Sequence, residues 1–114
     1  MTEKGCLFCR IARGEVPSRK AYEDDQILVF HDINPAAPVH LLCIPKVHVD
    51  SLVTVEPEHE ALLGKLLTLA PQLAKEQSCE NGFRVVINNG PDGGQEVNHL
   101  HIHILGGPRP WKRL

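Results

Sequence analysis

The chain predicts an α+β domain in which an antiparallel sheet of five strands carries one long helix and a short N-terminal helix. Three observations predict it. Short runs rich in apolar and β-branched residues fall before and after a single long stretch of leucines at helical spacing, instead of alternating with helices one by one, and that order disfavours a doubly wound parallel sheet. No internal repeat, low-complexity tract or linker divides the 114 residues, so one domain over 1–114 with one core is expected. Hydrophobic residues make up 42% and charged residues 23%, the balance of a globular chain and not of a disordered one.

Taken in order, residues 6–13 read as a short helix stopped by Gly14, with Pro17 just beyond. Residues 20–23 and 27–31 read as strands either side of the Asp24-Asp25 turn. Residues 32–35 leave as a loop that Pro35 and Pro38 keep extended. Residues 40–44 form a nearly continuous apolar strand closed by Pro45, with Cys43 as a small buried hydrophobe. The long helix is expected to start near Pro57, which suits a first turn, among the acids Glu56, Glu58 and Glu60. Leu62, Leu63, Leu66, Leu67, Leu69, Ala70, Leu73 and Ala74 repeat at helical spacing and form its apolar face. Pro71 cannot donate to the carbonyl of Leu67, which predicts either a kink or an earlier end. His59, early in this helix, is expected to be exposed. Residues 83–88 form the next strand, 90–94 a glycine-rich loop, and 99–105 a last strand ended by Gly106-Gly107.

Composition excludes some functions. Twelve basic against fourteen acidic residues leave a net charge of −2, with no broad attraction for nucleic acid or an anionic membrane; phosphate must be handled in a local site. An acid early and no apolar run before Cys6 argue against a secretory signal, and the apolar runs at 39–45 and 62–74 are too short or too interrupted to span a bilayer. A cytoplasmic setting is expected, where Cys6, Cys9, Cys43 and Cys79 form no disulfide framework.

The strongest chemical signal is His99-Leu100-His101-Ile102-His103-Ile104-Leu105. Alternation on a strand sends the three imidazoles to one face and the aliphatic residues to the other. Polar alternation on a solvated strand would favour Thr, Lys or Glu over three histidines. Such spacing suits a catalytic zinc; it equally suits a neutral imidazole that attacks an electrophile while its neighbours orient it and move protons. The strand alone does not separate the two. The preceding Asn88-Asn89-Gly90-Pro91-Asp92-Gly93-Gly94-Gln95 lets backbone approach a ligand and its N–H groups cradle a phosphate. By itself it is ordinary turn chemistry; placed just before three histidines, it favours nucleophilic chemistry at phosphorus.

Gly93-Gly94-Gln95 followed by His99-x-His101-x-His103 and Gly106-Gly107 resembles the histidine triad family, in particular its nucleotide-binding, phosphoramidase branch. The resemblance extends upstream through Phe30-His31-Asp32-Ile33-Asn34-Pro35, Pro38-Val39-His40 and Ile44-Pro45-Lys46-Val47-His48, and spans roughly residues 6–111. It implies two protomers sharing one continuous antiparallel sheet, and hydrolysis of adenosine or guanosine phosphoramidates through a covalent nucleotidyl-histidine. Residue by residue, it implies His101 as nucleophile, flanked by His103 and His40, with His103 on the phosphate. Asp32 would hold the ribose hydroxyls. Phe8, Ile11, Phe30, His31, Ile33 and Leu42 would wall the base, and Asn88, Gly94, Gln95 and Glu96 would line the phosphate. A neutral imidazole is a good nucleophile, and its pKa near 6.5 leaves it mostly neutral at pH 7. No cofactor is required for this chemistry.

The resemblance also bears on Cys6-x-x-Cys9, which alone is half a tetrahedral site. In some relatives such a pair joins the His of the Pro-Lys-x-His segment and the first triad His, here His48 and His99. That set would hold a structural zinc that staples the N-terminal helix to the sheet and leaves His101 and His103 as the working pair. Two departures stand out. Glu96 occupies a place where many relatives have Ser, either assisting leaving-group protonation or pointing to solvent, and Asn98 stands where relatives often carry an aromatic. The short tail with Trp111 is expected to reach the partner's site. Competing readings are a nucleotide-binding regulatory module with incidental hydrolysis, a dinucleoside polyphosphate hydrolase, and a metalloenzyme with zinc on the triad itself.

Overall fold

The computed structural model describes residues 5–112. Its elements are α1 (Leu7–Ala12), β1 (Lys20–Glu23), β2 (Ile27–His31), β3 (Val39–Pro45), α2 (Glu60–Glu76), β4 (Phe83–Val86) and β5 (Ile102–Gly106). The strands form one sheet in the order β1-β2-β3-β5-β4, every neighbouring pair antiparallel. The predicted α+β architecture is the one observed.

Alternation along the strands gives the sheet two apolar faces, each covered by a helix. Ile27, Val29, Leu41, Cys43, Ile102 and Ile104 pack against Leu66, Ala70 and Leu73 of α2. Leu28, Phe30, Leu42 and Ile44 point the other way and meet Phe8 and Ile11 of α1. His101 and His103 alternate with Ile102 and Ile104, so they lie on the α1 face. Leu66 is wholly buried; Leu66→Ala is expected to cost about 2–5 kcal/mol, read from the denaturant midpoint.

Three expectations are corrected. Helix α2 continues through Pro71 to Glu76, which rules out the earlier end, one of the two outcomes expected there: Pro71 and Leu67 both lie on the exposed side of the helix, where water can meet the released carbonyl while buried Ala70, Leu73 and Ala74 hold the next turn on the sheet. A 3₁₀ turn at Pro57–His59 leads into α2, and His59 is half-buried, its Nδ1 accepting the backbone N–H of Glu56 at 2.9 Å. The third correction matters most. β4 ends at Val86 and β5 starts at Ile102, so His99, Leu100 and His101 lie before the strand. His99 N–H bonds back to the carbonyl of Val97 and Leu100 N–H goes to that of Val49, which takes the segment off the ladder.

Trp111 packs with Val86 against Ala36, Ala37 and Leu105 of its own protomer, its indole N–H donating to the carbonyl of Gly107 at 3.0 Å.

Candidate active site

His101 is buried, 6% exposed, with the Phe8 ring perpendicular to it at 5.1 Å between ring centroids. Its Nδ1–H donates to the carbonyl of His99 at 2.7 Å, so in the neutral ring Nε2 carries the lone pair. Burial lowers its pKa, against the pull of the His99 carbonyl and the charges of Asp32 and Glu96. A neutral ring with a bare Nε2 is the form that attacks an electrophile.

A second chain of hydrogen bonds sets the tautomer of His103. The backbone N–H of Ala36, which can only donate, meets Nδ1 of His40 at 3.0 Å. His40 must therefore carry its proton on Nε2, which donates to Nδ1 of His103 at 2.9 Å. The remaining proton of His103 then sits on Nε2, a buried atom with no hydrogen-bond partner among the described residues. A buried, unpaired donor is costly unless it serves something. It lies on a ring whose centroid is 5.0 Å from that of His101, where it suits an anionic oxygen. The Asp32 carboxylate lies 3.5 Å from Nε2 of His40, and its other oxygen accepts the N–H of Asn34.

Both rings are held neutral. Burial above all, then the neighbouring imidazoles, pushes His103 down to about 4; burial also lowers His40, which Asp32 opposes. A histidine depressed in the folded state contributes stability that is full above its unfolded pKa near 6.5 and is lost as pH falls through the folded value. From pH 6.5 to about 4, His103 is expected to weaken folding by on the order of 3 kcal/mol. The stability–pH slope over that window is expected to flatten in His103→Gln, and an unchanged slope would contradict the assignment.

His99 does not join these rings. Fully buried, it turns its Nδ1 toward two thiols, Cys6 Sγ at 3.3 Å and Cys9 Sγ at 3.5 Å, while its Nε2–H donates to the carbonyl of Pro45 at 2.7 Å. His48 does the same, with Nδ1 at 3.4 Å from Cys9 Sγ and Nε2–H donating to Asp50 at 2.6 Å. The four ligand atoms lie within 4.8 Å of one another. Cys6 caps the N-terminus of α1, where it accepts the N–H of Cys9, so one helical turn presents both sulfurs.

The glycine-rich loop is a closed turn. Gly90 and Gly94 have φ of +72° and +80°, and a Cβ at Gly93 would stand 2.3 Å from the carbonyl oxygen of Asn89. The Gln95 side chain braces this turn: Oε1 accepts from Gly90 N–H, and Nε2 donates to the carbonyls of Asp50 and Val97. Its amide is committed to the loop. Glu96 is exposed on the wall of an 860 Å³ cleft that also borders Cys6, His48 and Asp50. Phe8, Ile11, Phe30 and Leu42 come together under α1; His31 is half-buried, as is Asn88, and Ile33 stands at the surface, 92% exposed.

Residues 5–112 match the family model described as scavenger mRNA decapping enzyme C-terminal binding. Over 103 residues the chain is 55% identical to Protein HitA of Neisseria gonorrhoeae, covering 90% of this chain and 96% of that one. A HIT family hydrolase from Legionella pneumophila Philadelphia 1 superposes with a TM-score of 0.89 at 46% identity, over 92% of this chain and 95% of that one. The chain belongs to the histidine triad family. The 14 kDa zinc-binding protein of Zea mays is also similar, at 48% identity over 103 residues, 89% of this chain and 80% of that one.

In this histidine triad protein the donor set at Cys6, Cys9, His48 and His99 fits zinc. Two thiols and two imidazoles make a closed tetrahedral shell, and both rings present Nδ1 inward because their outer N–H groups are tied to a carbonyl and a carboxylate. The triad itself does not fit a metal. Its rings do not converge, because His99 faces the thiols. A second grouping, Asp32, His40 and His103, fails on its tautomers: Ala36 occupies the Nδ1 lone pair of His40 and leaves a proton, not a lone pair, on Nε2.

Sequence reasoning missed Ala36, Pro45 and Asp50. The first two act through backbone atoms and leave no side-chain signature. Asp50 was readable, standing two residues past His48 at the end of an extended segment. Among the described residues, no helix is long and apolar enough to cross a membrane.

Proposed function

We propose that the protein hydrolyses purine nucleoside phosphoramidates of the adenosine 5′-monophosphoramidate type, releasing AMP or GMP through a covalent nucleotidyl–His101 intermediate. The observation that carries this reading is the pair of tautomers: His101 with a bare Nε2 and, beside it, His103 with an unpaired Nε2–H. A nucleophile and an oxyanion donor are what phosphoryl transfer needs.

In the first step the His101 Nε2 lone pair forms a bond to phosphorus as the phosphorus–nitrogen bond to the leaving amine breaks, and the amine takes up a proton. That proton comes from solvent water, and Glu96, exposed on the wall of the cleft, is assigned to the leaving-group side, where its charge draws the departing ammonium. In the second step water attacks phosphorus, the phosphorus–imidazole bond breaks, and neutral His101 returns as AMP and a proton depart. His103 Nε2–H steadies the oxygen that gains charge in both steps, and His40 keeps that proton in place. Asp32 is assigned to the ribose hydroxyls. The base is assigned to Phe8, Ile11, Phe30, His31, Ile33 and Leu42, and the phosphate to Asn88, Gly94 and Glu96, with Gln95 shaping the loop. Zinc held by Cys6, Cys9, His48 and His99 would cross-link α1 to the sheet and take part in no bond-making step, and the cytoplasm would keep its thiols reduced.

The working unit is proposed to be a homodimer. β4 is an edge strand whose Phe83 and Val85 remain partly exposed, and an open apolar edge is a template for another strand. Pairing β4 with its copy would extend the sheet across both protomers and bring the Trp111 tail toward the partner's site.

Turnover of adenosine 5′-monophosphoramidate in the ordinary enzyme range, roughly 1 to 1,000 per second, is the expected result, with diadenosine polyphosphates cleaved far more slowly. AMP binding without turnover would favour a regulatory binding module instead.

A further inference from the structure

The proposed nucleophile stands outside the strand that carries its neighbour. β5 opens at Ile102, whose partner is Cys43, so the ladder does not hold His99, Leu100 or His101. Other bonds do. Leu100 N–H donates to the carbonyl of Val49 at 2.6 Å, the residue after His48. The His99 ring is gripped on both sides, by the Pro45 carbonyl at Nε2 and by the thiols of Cys6 and Cys9 at Nδ1. That same residue offers its carbonyl to Nδ1 of His101. Phe8, between the two cysteines in sequence, stands near-perpendicular to the rings of both His99 and His101.

We infer that the Cys6, Cys9, His48 and His99 cluster positions the nucleophile: closing on the His99 ring fixes the His99 carbonyl, and through it the tautomer and aim of His101. The inference rests on His101 being the nucleophile. A neutral imidazole has two tautomers, and the bond made at one nitrogen decides what the other presents. If the His99 carbonyl turns away, the ring is free to carry its proton on Nε2, and that form does not attack. Nothing in the sheet ladder prevents the turn; the Leu100 N–H bond to Val49, beside His48, and the grip on the His99 ring do so together. His99 is thus a positioning residue, and the cluster that staples α1 also sets the chemistry.

The test uses the full-length, ¹⁵N-labelled protein and reads the His101 ring by long-range proton–nitrogen correlation. Zinc-loaded protein is expected to show Nδ1 protonated and Nε2 bare. In Cys6→Ser/Cys9→Ser, without metal, mixed tautomers are expected, with kcat on adenosine phosphoramidate lower by about 10–100-fold and KM changed by less than about threefold. A folded, metal-free variant that keeps the Nδ1–H tautomer and its kcat would overturn the inference. Should that variant fail to fold, Asp50→Asn keeps all four ligands and loosens only His48; as zinc is titrated in, the His101 signal is expected to follow occupancy, and a signal constant from empty to full overturns the inference. Absence of hydrolysis by the wild type would sink the functional reading alone, since the ring spectra still decide the coupling.

Discussion

His101→Ala is expected to bind AMP and to turn over no phosphoramidate, with kcat lower by about 10⁴–10⁶-fold, or on the order of 5–8 kcal/mol of transition-state stabilisation. The loss should be this large because the account gives His101 the covalent role and leaves no other bare, neutral nitrogen beside the His103 donor. His99 has its Nδ1 at the thiols and its Nε2–H on Pro45, and the His103 Nδ1 lone pair is taken by His40. Binding should survive, because the base and ribose are assigned to residues on α1, β2, β3 and the loop after β2. Steady-state kinetics beside AMP calorimetry check both halves. Unchanged turnover would remove the nucleophile from the account, and lost AMP binding with a normal melting curve would mean that His101 is mainly a binding residue.

The second large effect concerns the metal cluster. Zinc that binds the folded chain alone stabilises it in proportion to the logarithm of the ratio of free zinc to Kd, by about 4 kcal/mol at a thousandfold excess over Kd. For a domain of this size that corresponds to roughly 15 °C in melting temperature. Cys9→Ala is therefore expected to purify without zinc and to melt roughly that much lower, and a strong chelator should bring the wild type most of the way to the same curve. The damage should centre on α1, whose six residues are too few to be stable alone and whose place on the sheet depends on Phe8, Ile11 and the two sulfurs. Proteolysis near residues 13–19 should accelerate first. A wild type with no bound zinc and a chelator-insensitive melt would contradict this.

The fold was legible because its signals are local. Five strand-like runs and one leucine-rich helix stand out along the chain, and the absence of helices between the first three strands disfavours a doubly wound parallel sheet. Ile27–His31 and Lys20–Glu23 match the bounds read from the chain. Where the reading failed, a tertiary contact overrode the local pattern. Alternation at His99–His103 promised one unbroken strand, but the pull of two thiols and the Pro45 carbonyl on His99 outweighs two rungs of ladder, and periodicity carries no trace of that. Pro71 read as a kink or an end because its missing N–H is visible in sequence, whereas the burial of Ala70 and Leu73 that carries the helix past it is not.

The same division holds in the site. The imidazoles and cysteines announce themselves as residue types at telling spacings. What makes them work is mostly backbone: the Ala36 N–H that fixes His40, the His99 carbonyl that fixes His101, the Pro45 carbonyl that fixes His99. Any residue supplies these atoms, so no sequence pattern marks them. Gln95 shows the converse case, a side chain suited to phosphate that folding spends on bracing the Gly90 turn.

The central claim is that the nucleotide passes through a bond to Nε2 of His101. Its most direct measurement is to mix the protein with adenosine 5′-monophosphoramidate, quench in alkali within the first turnover, where a phosphorus–nitrogen bond to imidazole survives, and map the nucleotidyl group by peptide mass spectrometry. The account predicts one AMP moiety per site, on His101. An adduct on His103 or His99, or steady turnover with no adduct on any residue, would contradict it.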